Sequence, residues 1–202
     1  MSQLCQNLIQ GCIAADCNDM IYAGMAPEGL IANYDEIASI TWASGQANTI
    51  TGITMKTETV NDETVSKCFY TVQQLGNNPF EGTQNEMVEG TYGNKFDKTV
   101  VIAVPDNSPA AGALVDSFAN GKFVFIGQND YKKTDGSAKY EVYGAKKGLK
   151  ASSIVREAYG DNEGMWIVTL VESGSPISSA FFYSSSESAT DTAVNALKCN
   201  CE

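Results

Sequence analysis

One stretch, residues 121–172, limits the fold more than any other: GKFVFIGQNDYKKTDGSAKYEVYGAKKGLKASSIVREAYGDNEGMWIVTLVE. Strand-like runs lie at 122–126, 139–143 and 165–171, with a fourth candidate at 149–155. Each is short and rich in Val, Ile, Phe and Tyr, and Gly, Asn and Asp separate them. Extended backbone accommodates branched and aromatic side chains, and those spacers turn the chain, so the pattern predicts antiparallel β structure. A chain of 202 residues can bury a core without staples. The expectation is a single domain over 1–202: an N-terminal arm at 1–26, a β-sandwich at 27–183 with a helix at about 108–120, and a C-terminal helix or arm at 184–202.

In chain order, further strands are expected at 30–33, 37–42, 50–55 and 68–75. In 50–55, Thr51, Ile53 and Met55 share a face. Residues 58–64 read as a loop or hairpin tip, and GNNPFEGTQNE (76–86) as a long exposed loop. TVVIAV (99–104) is nearly continuous in apolar residues, as in a strand buried on both faces. The clearest helix spans 107–120. Asn107 or Ser108 caps it and Pro109 opens it. Leu114, Val115 and Phe118 form its apolar face, and Asn120-Gly121 offers a left-handed exit. It leads straight into the 121–172 strands and is expected to pack across a sheet. After a turn, 180–183 reads as a short aromatic strand. A second helix, 189–198, carries Ala189, Ala193, Val194 and Leu197, with Ser186 or Ser188 as its cap.

Charge and residue type exclude several chemistries. The chain has 24 acids, 13 bases and a net charge of −11. This argues against a protein that grips nucleic acid, which needs a basic footprint; it is compatible with an acidic wall that lets nucleic acid pass. No histidine is present, which removes Ser-His-Asp and Cys-His mechanisms. Neither GxxxxGK[ST] nor a strand-preceded GxGxxG occurs. The carboxylate pairs Asp161 with Glu163 and Glu81 with Glu86 lie in turn-rich sequence and read as solvated loop charges. No catalytic residue and no cofactor is therefore expected.

Six cysteines are present: Cys5, Cys12, Cys17, Cys68, Cys199 and Cys201. No CxxC-like knuckles or histidines accompany them, so no metal site is expected. The start of the chain lacks a basic leader and a long apolar core, so reduced thiols are the default expectation; a disulfide between the terminal arms of neighbouring subunits is the alternative. The aspartates at 16–19 and 130–136 lack the spacing of a calcium loop and read as turns. Trp42, Trp166, Phe123, Phe125, Tyr140 and Tyr143 read as core or interface residues, with a ligand platform as the alternative. No run is long and apolar enough to span a membrane.

Several pieces, in order, resemble tail tube (major tail) proteins of long-tailed bacteriophages, especially those of gut bacteria. GCIAADCNDM is followed by LIANYDEIASI and ITGITM. TVVIAV leads through the helix to GKFVFIGQND. YEVYGAKKGLKAS and GDNEGMWIVTLVESG follow. Together they cover most of residues 12–174; the SESATDTAVNALKCNCE tail lies outside the pattern. The resemblance implies a mainly β fold: two packed antiparallel sheets, a sandwich or open barrel flanked by a helix, with terminal arms. It implies hexameric rings stacked into a tube that conducts phage DNA and has no enzymatic activity. The partners would be other copies of the chain, other phage tail proteins, and genomic DNA passing through the lumen without specific binding, with no membrane. The location would be the virion tail, after synthesis in the bacterial host cytoplasm. Alternatives are a capsid decoration or head–tail joining protein, or a non-catalytic β-sandwich binding module whose ligand face includes Trp42 and Trp166.

Overall fold

The structure, a computed structural model, describes residues 20–60, 63–159 and 164–199. The first strands are β1 (Met25–Asn33), β2 (Ile37–Trp42), β3 (Thr49–Met55), β4 (Thr57–Val60), β5 (Glu63–Ser66), β6 (Tyr70–Gln73), β7 (Gln84–Val88) and β8 (Lys95–Val104). Helix α1 (Pro109–Asn120) comes next, followed by β9 (Phe123–Asn129), β10 (Tyr140–Tyr143), β11 (Lys150–Arg156), β12 (Trp166–Ser175), β13 (Phe181–Phe182) and helix α2 (Glu187–Leu197). All four runs anticipated in 121–172 are strands.

The fold is mainly β, with two sheets packed as a sandwich that does not close into a barrel. The larger sheet has the order β2-β3-β13-β10-β9-β1-β6 and the smaller β11-β12-β8-β7; β4 and β5 form a separate hairpin. Pairing is antiparallel except where β13 runs parallel to β3, so the larger sheet is mixed rather than purely antiparallel. At its centre, β9 pairs with β1 through Ile31 opposite Phe125 and with β10 through Val142 opposite Ile126.

Side-chain alternation explains why β9 is buried on both faces. Phe123 and Phe125 face the smaller sheet and join Ile31, Val100, Ile102, Val168, Leu170 and Leu149. Val124 and Ile126 face the other way and join Leu30, Ile50, Val142, Phe182, Val194 and Leu197. Helix α2 supplies Val194 and Leu197 to this second cluster, so the larger sheet lies between the smaller sheet and α2. The helix expected to cover a sheet was the one at 107–120. As expected, it packs on a sheet: α1 lies along β11 and β12 of the smaller sheet, with the Phe118 ring 5.2 Å from that of Phe123.

Other expectations change in detail. Ser108 caps α1, accepting a hydrogen bond from the Ala111 N–H at 3.2 Å. The buried face of α1 is Ala111, Val115 and Phe118; Leu114 is 50% exposed because it falls outside that stripe. Gly121 leaves the helix in extended conformation, φ −81°, rather than left-handed. Ser186 caps α2, whose buried residues are Thr190, Val194 and Leu197. In β8 only alternate residues are fully buried, because among the described residues no sheet or helix covers the outer face of the smaller sheet. The tip at 58–64 is the β4–β5 hairpin, and Leu75, assigned to a strand, is exposed in the following loop. In β3 a bulge against β2 lies between Gly52, opposite Thr41, and Ile50, opposite Trp42. The extra residue, Thr51, shifts the alternation, so Ile50 is fully buried and joins the cluster that Ile53 and Met55 pack against.

Residues 74–83 form a loop, but it is not simply exposed. Phe80 adopts φ 57°, is buried, and lies 5.1 Å from the Phe125 ring centroid. The room for this comes from Gly29, where a Cβ would stand 2.4 Å from Phe125 and 3.1 Å from Phe80.

Candidate functional site

Two features of the sandwich stand apart from ordinary packing, and both lie where the 144–148 turn meets β11 and β12. The first is a buried charge pair. On β8, Lys98 falls in the same alternation as Val100, Ile102 and Val104, and on β12 Glu172 follows Val168 and Leu170. The register sets Lys98 directly opposite Glu172. Both side chains therefore enter the layer between the sheets, 1% and 0% exposed, with Nζ and Oε2 3.6 Å apart. That spacing makes an ion pair but not a hydrogen bond, and neither atom has a hydrogen-bond partner in the protein. The other oxygen, Glu172 Oε1, accepts the N–H groups of Lys146 and Lys147 at 3.1 and 2.7 Å. Nearby, Glu141 accepts from Asn85 at 2.8 Å and from the Tyr143 hydroxyl at 3.0 Å. Burial pushes Lys98 below its ordinary range, against the opposing pull of Glu172 and Glu141. The pair joins neighbouring strands of the smaller sheet, while Glu172 Oε1 locks the 144–148 turn, which follows β10 of the larger sheet, to β12.

The second feature is an open groove of about 790 Å³ on the surface beside that turn, whose lining includes Lys122, Lys146, Lys147, Lys150 and Ser173. Lys122 and Lys146 are half-buried, while Lys147 and Lys150 are exposed. Aromatic faces hold two of the ammonium groups: Lys122 Nζ lies 4.1 Å from the Tyr34 ring centroid and Lys146 Nζ 3.4 Å from that of Trp42. Cation–π attraction of this kind orders a flexible chain without cancelling its charge. Lys147 Nζ donates to the Ser173 carbonyl. Burial lowers Lys146, with Glu172 pulling it back. Among the described residues none of these four lysines has a carboxylate within salt-bridge distance, whereas Lys67, Lys98, Lys132, Lys133, Lys139 and Lys198 all do. The carboxylates near the groove are engaged elsewhere: Glu172 with backbone N–H groups, and Asp97 with the Ser173 hydroxyl and the Gly174 N–H.

Among the described residues the smaller sheet has two edges without a strand partner, the outer sides of β7 and β11, although α1 packs along β11 and Leu149, just before β11, pairs with Phe123. Every residue of β7 is exposed, as are the flanking Glu81 and Glu89.

The other singled-out residues scatter. Trp42 ends a strand of the larger sheet and Trp166 begins one of the smaller; they pack against different core clusters, so they form no shared ligand face. Glu81 and Glu86 are exposed on the loop and on β7. Asp135 makes a turn, accepting from the Ser137 hydroxyl at 2.6 Å and its N–H at 2.9 Å. Those bonds hold the Asp135 carboxyl below its usual range. Cys68 and Cys199 form a disulfide within the chain, which overturns the expectation of reduced thiols for these two. Their Cα atoms come within 5.1 Å because the Phe69 and Cys199 backbones pair beside the end of α2. Cys5, Cys12, Cys17, Cys201, the aspartates at 16–19, and Asp161 with Glu163 lie outside the described residues.

Among the described residues no group of three or more His, Cys, Asp or Glu is placed to hold a metal, and no helix is long and apolar enough to cross a membrane. The sequence reading missed Lys98, Glu172 and the groove. The signal for the pair was present: a charged residue at the in-facing parity of each of two apolar strands. For the groove the signal was partial: Lys146, Lys147 and Lys150 lie together in AKKGLK (145–150), and only Lys122 and the aromatic faces are brought there by folding. No family model, no curated protein and no solved structure matches this chain.

Proposed function

We propose that this chain is a structural, self-assembling subunit, and that it serves as a tail tube protein of a long-tailed bacteriophage. Copies would form stacked rings around a conduit for DNA, without catalysis. The observation that carries the reading is the pair of edges on the smaller sheet that have no strand partner among the described residues. An exposed strand edge invites pairing, and a protein that leaves two open either guards them or uses them. Through the alternating directions of β11, β12, β8 and β7, β7 runs opposite to β11. Copies set side by side in one orientation would therefore bring β7 of one against β11 of the next in antiparallel pairing. Such association is heterologous and closes into a ring if the rotation permits. The net charge of −11 suits a lumen that must not retain DNA, and the order of sequence pieces is what links the chain to tail tubes in particular.

Electron microscopy of the purified chain at high concentration tests the proposal. Rings or tubes are the expected result. A chain that stays monomeric under all conditions, including with its virion partners, refutes it. Binding to capsid or portal without self-stacking would point instead to a decoration or joining protein. The loop at 76–86 is not a clean deletion target for such work, because Phe80 belongs to the core.

A further inference from the structure

The lysine groove lies at one edge of the smaller sheet, and unpaired acids lie at the other. We infer that Lys122, Lys146, Lys147 and Lys150 receive carboxylates from a second copy, those of Glu86 and Glu89 at its β7 edge. The inference rests on the self-assembly reading and adds which charges meet.

The register fixes their relative height. Lys150 stands opposite Val171, Val171 opposite Thr99, and Thr99 opposite Gln84, so these four residues form one row across the sheet. From that row β12 runs on to Ser173, the chain before β11 runs back to Lys147, and β7 runs on to Glu86. The lysines and Glu86 therefore sit at the same end of the sheet on opposite edges. They also share a face. Glu172 and Asn85 point into the sandwich, where Asn85 bonds Glu141, so Ser173 and Glu86 point out of it. A copy shifted sideways across the strands brings its Glu86, with Glu89 just beyond, to the groove.

Charge supplies the second reason. Two copies at −11 each repel, so a stable contact must set bases against acids where it forms. Six described lysines lack a salt bridge, and this groove holds four of them. Glu86 and Glu89 are exposed and have no ion-pair partner among the described residues. Placing fixed lysines against them steers the approach and sets the register of the two edges.

Charge reversal tests this in the full chain. Lys150→Glu alone, and Glu86→Lys with Glu89→Lys, are compared with wild type by sedimentation and electron microscopy. All three positions are exposed, and circular dichroism confirms folding. Each reversal is expected to weaken assembly by at least about tenfold, and the chain carrying all three to recover within about threefold of wild type. Wild-type assembly should also weaken as salt rises. If wild type never assembles, the self-assembly reading falls and the inference with it. If wild type assembles and the reversals change nothing, or the combined chain is not rescued, the inference alone is overturned. A labelled DNA duplex that binds wild type and is lost with Lys150→Glu, while assembly is unaffected, makes nucleic acid the occupant and also overturns it.

Discussion

Replacing Lys98 with Met tests the buried charge pair between β8 and β12 at the groove end. The substitution keeps a linear side chain of similar reach in the layer between the sheets and removes the cation that, among the described residues, lies within ion-pair distance of Glu172. Glu172 would keep the Lys146 and Lys147 N–H groups but remain a fully buried carboxylate near Glu141. Breaking a buried pair from one side costs about 3–5 kcal/mol. Adding Glu172→Gln removes the remaining charge while its side-chain carbonyl still accepts the two backbone N–H groups. The double variant is expected to return to within about 1 kcal/mol of wild type, since a neutral replacement of a buried pair is often close to neutral. The coupling between the sites is then at least about 2 kcal/mol. Urea unfolding followed by tryptophan fluorescence measures all four chains. Lys98→Met costing less than about 1 kcal/mol, or additive single effects, would refute the reasoning. A pH series adds a sign. Lys98 has a folded pKa below its unfolded 10.5, so in the window between the two the unfolded chain binds more protons and stability rises with pH. Lys98→Met should remove that rise.

Four other substitutions probe the packing and the links to α2. Phe118→Ala is expected to cost about 3–5 kcal/mol, while Leu114→Ala, half exposed, should cost less than about 1 kcal/mol; equal losses in chemical denaturation would contradict the assigned helix face. Cys68→Ser should destabilise by up to about 5 kcal/mol in the chain-entropy account, since the disulfide spans 131 residues, and a thermal midpoint unmoved by reductant would contradict the link. On α2, Asp191 accepts from Lys139 at 2.7 Å and from the Tyr140 hydroxyl at 2.9 Å. Burial pushes its carboxyl up, but these bonds outweigh it and hold it below 3.8. Its contribution is therefore present above pH 3.8 and lost as pH falls through the folded value. Asp191→Asn should flatten that acid loss in a pH–stability series, and an unchanged profile would count against the contact.

Local pattern specified the most strongly marked elements, but not β4, β5 or β7, which read as loop or hairpin tip. Branched and aromatic runs broken by Gly, Asn and Asp marked every strand in 121–172, and Ser108 with Pro109 marked the start of α1. Those signals act over a few residues, where backbone preference and capping decide. Which face each element buries was a different matter. Leu114 and Phe118 are equally apolar, and only the position of β11 and β12 selects Phe118. Ile50 shares a face with Ile53 because a bulge adds Thr51, which depends on the pairing with β2. Phe80 reads as a loop residue until Gly29 leaves room for its ring over Phe125. The same holds for the charges. Lys98 and Glu172 are distant in sequence and become partners through one register, and Lys122 joins the lysines of AKKGLK (145–150) in one groove beside the 144–148 turn. Sequence determined the two helices and the branched and aromatic strands, where the local signal was dense. Tertiary structure alone decided which strands pair, and through that pairing which charges are buried, which are matched, and which remain for a second molecule.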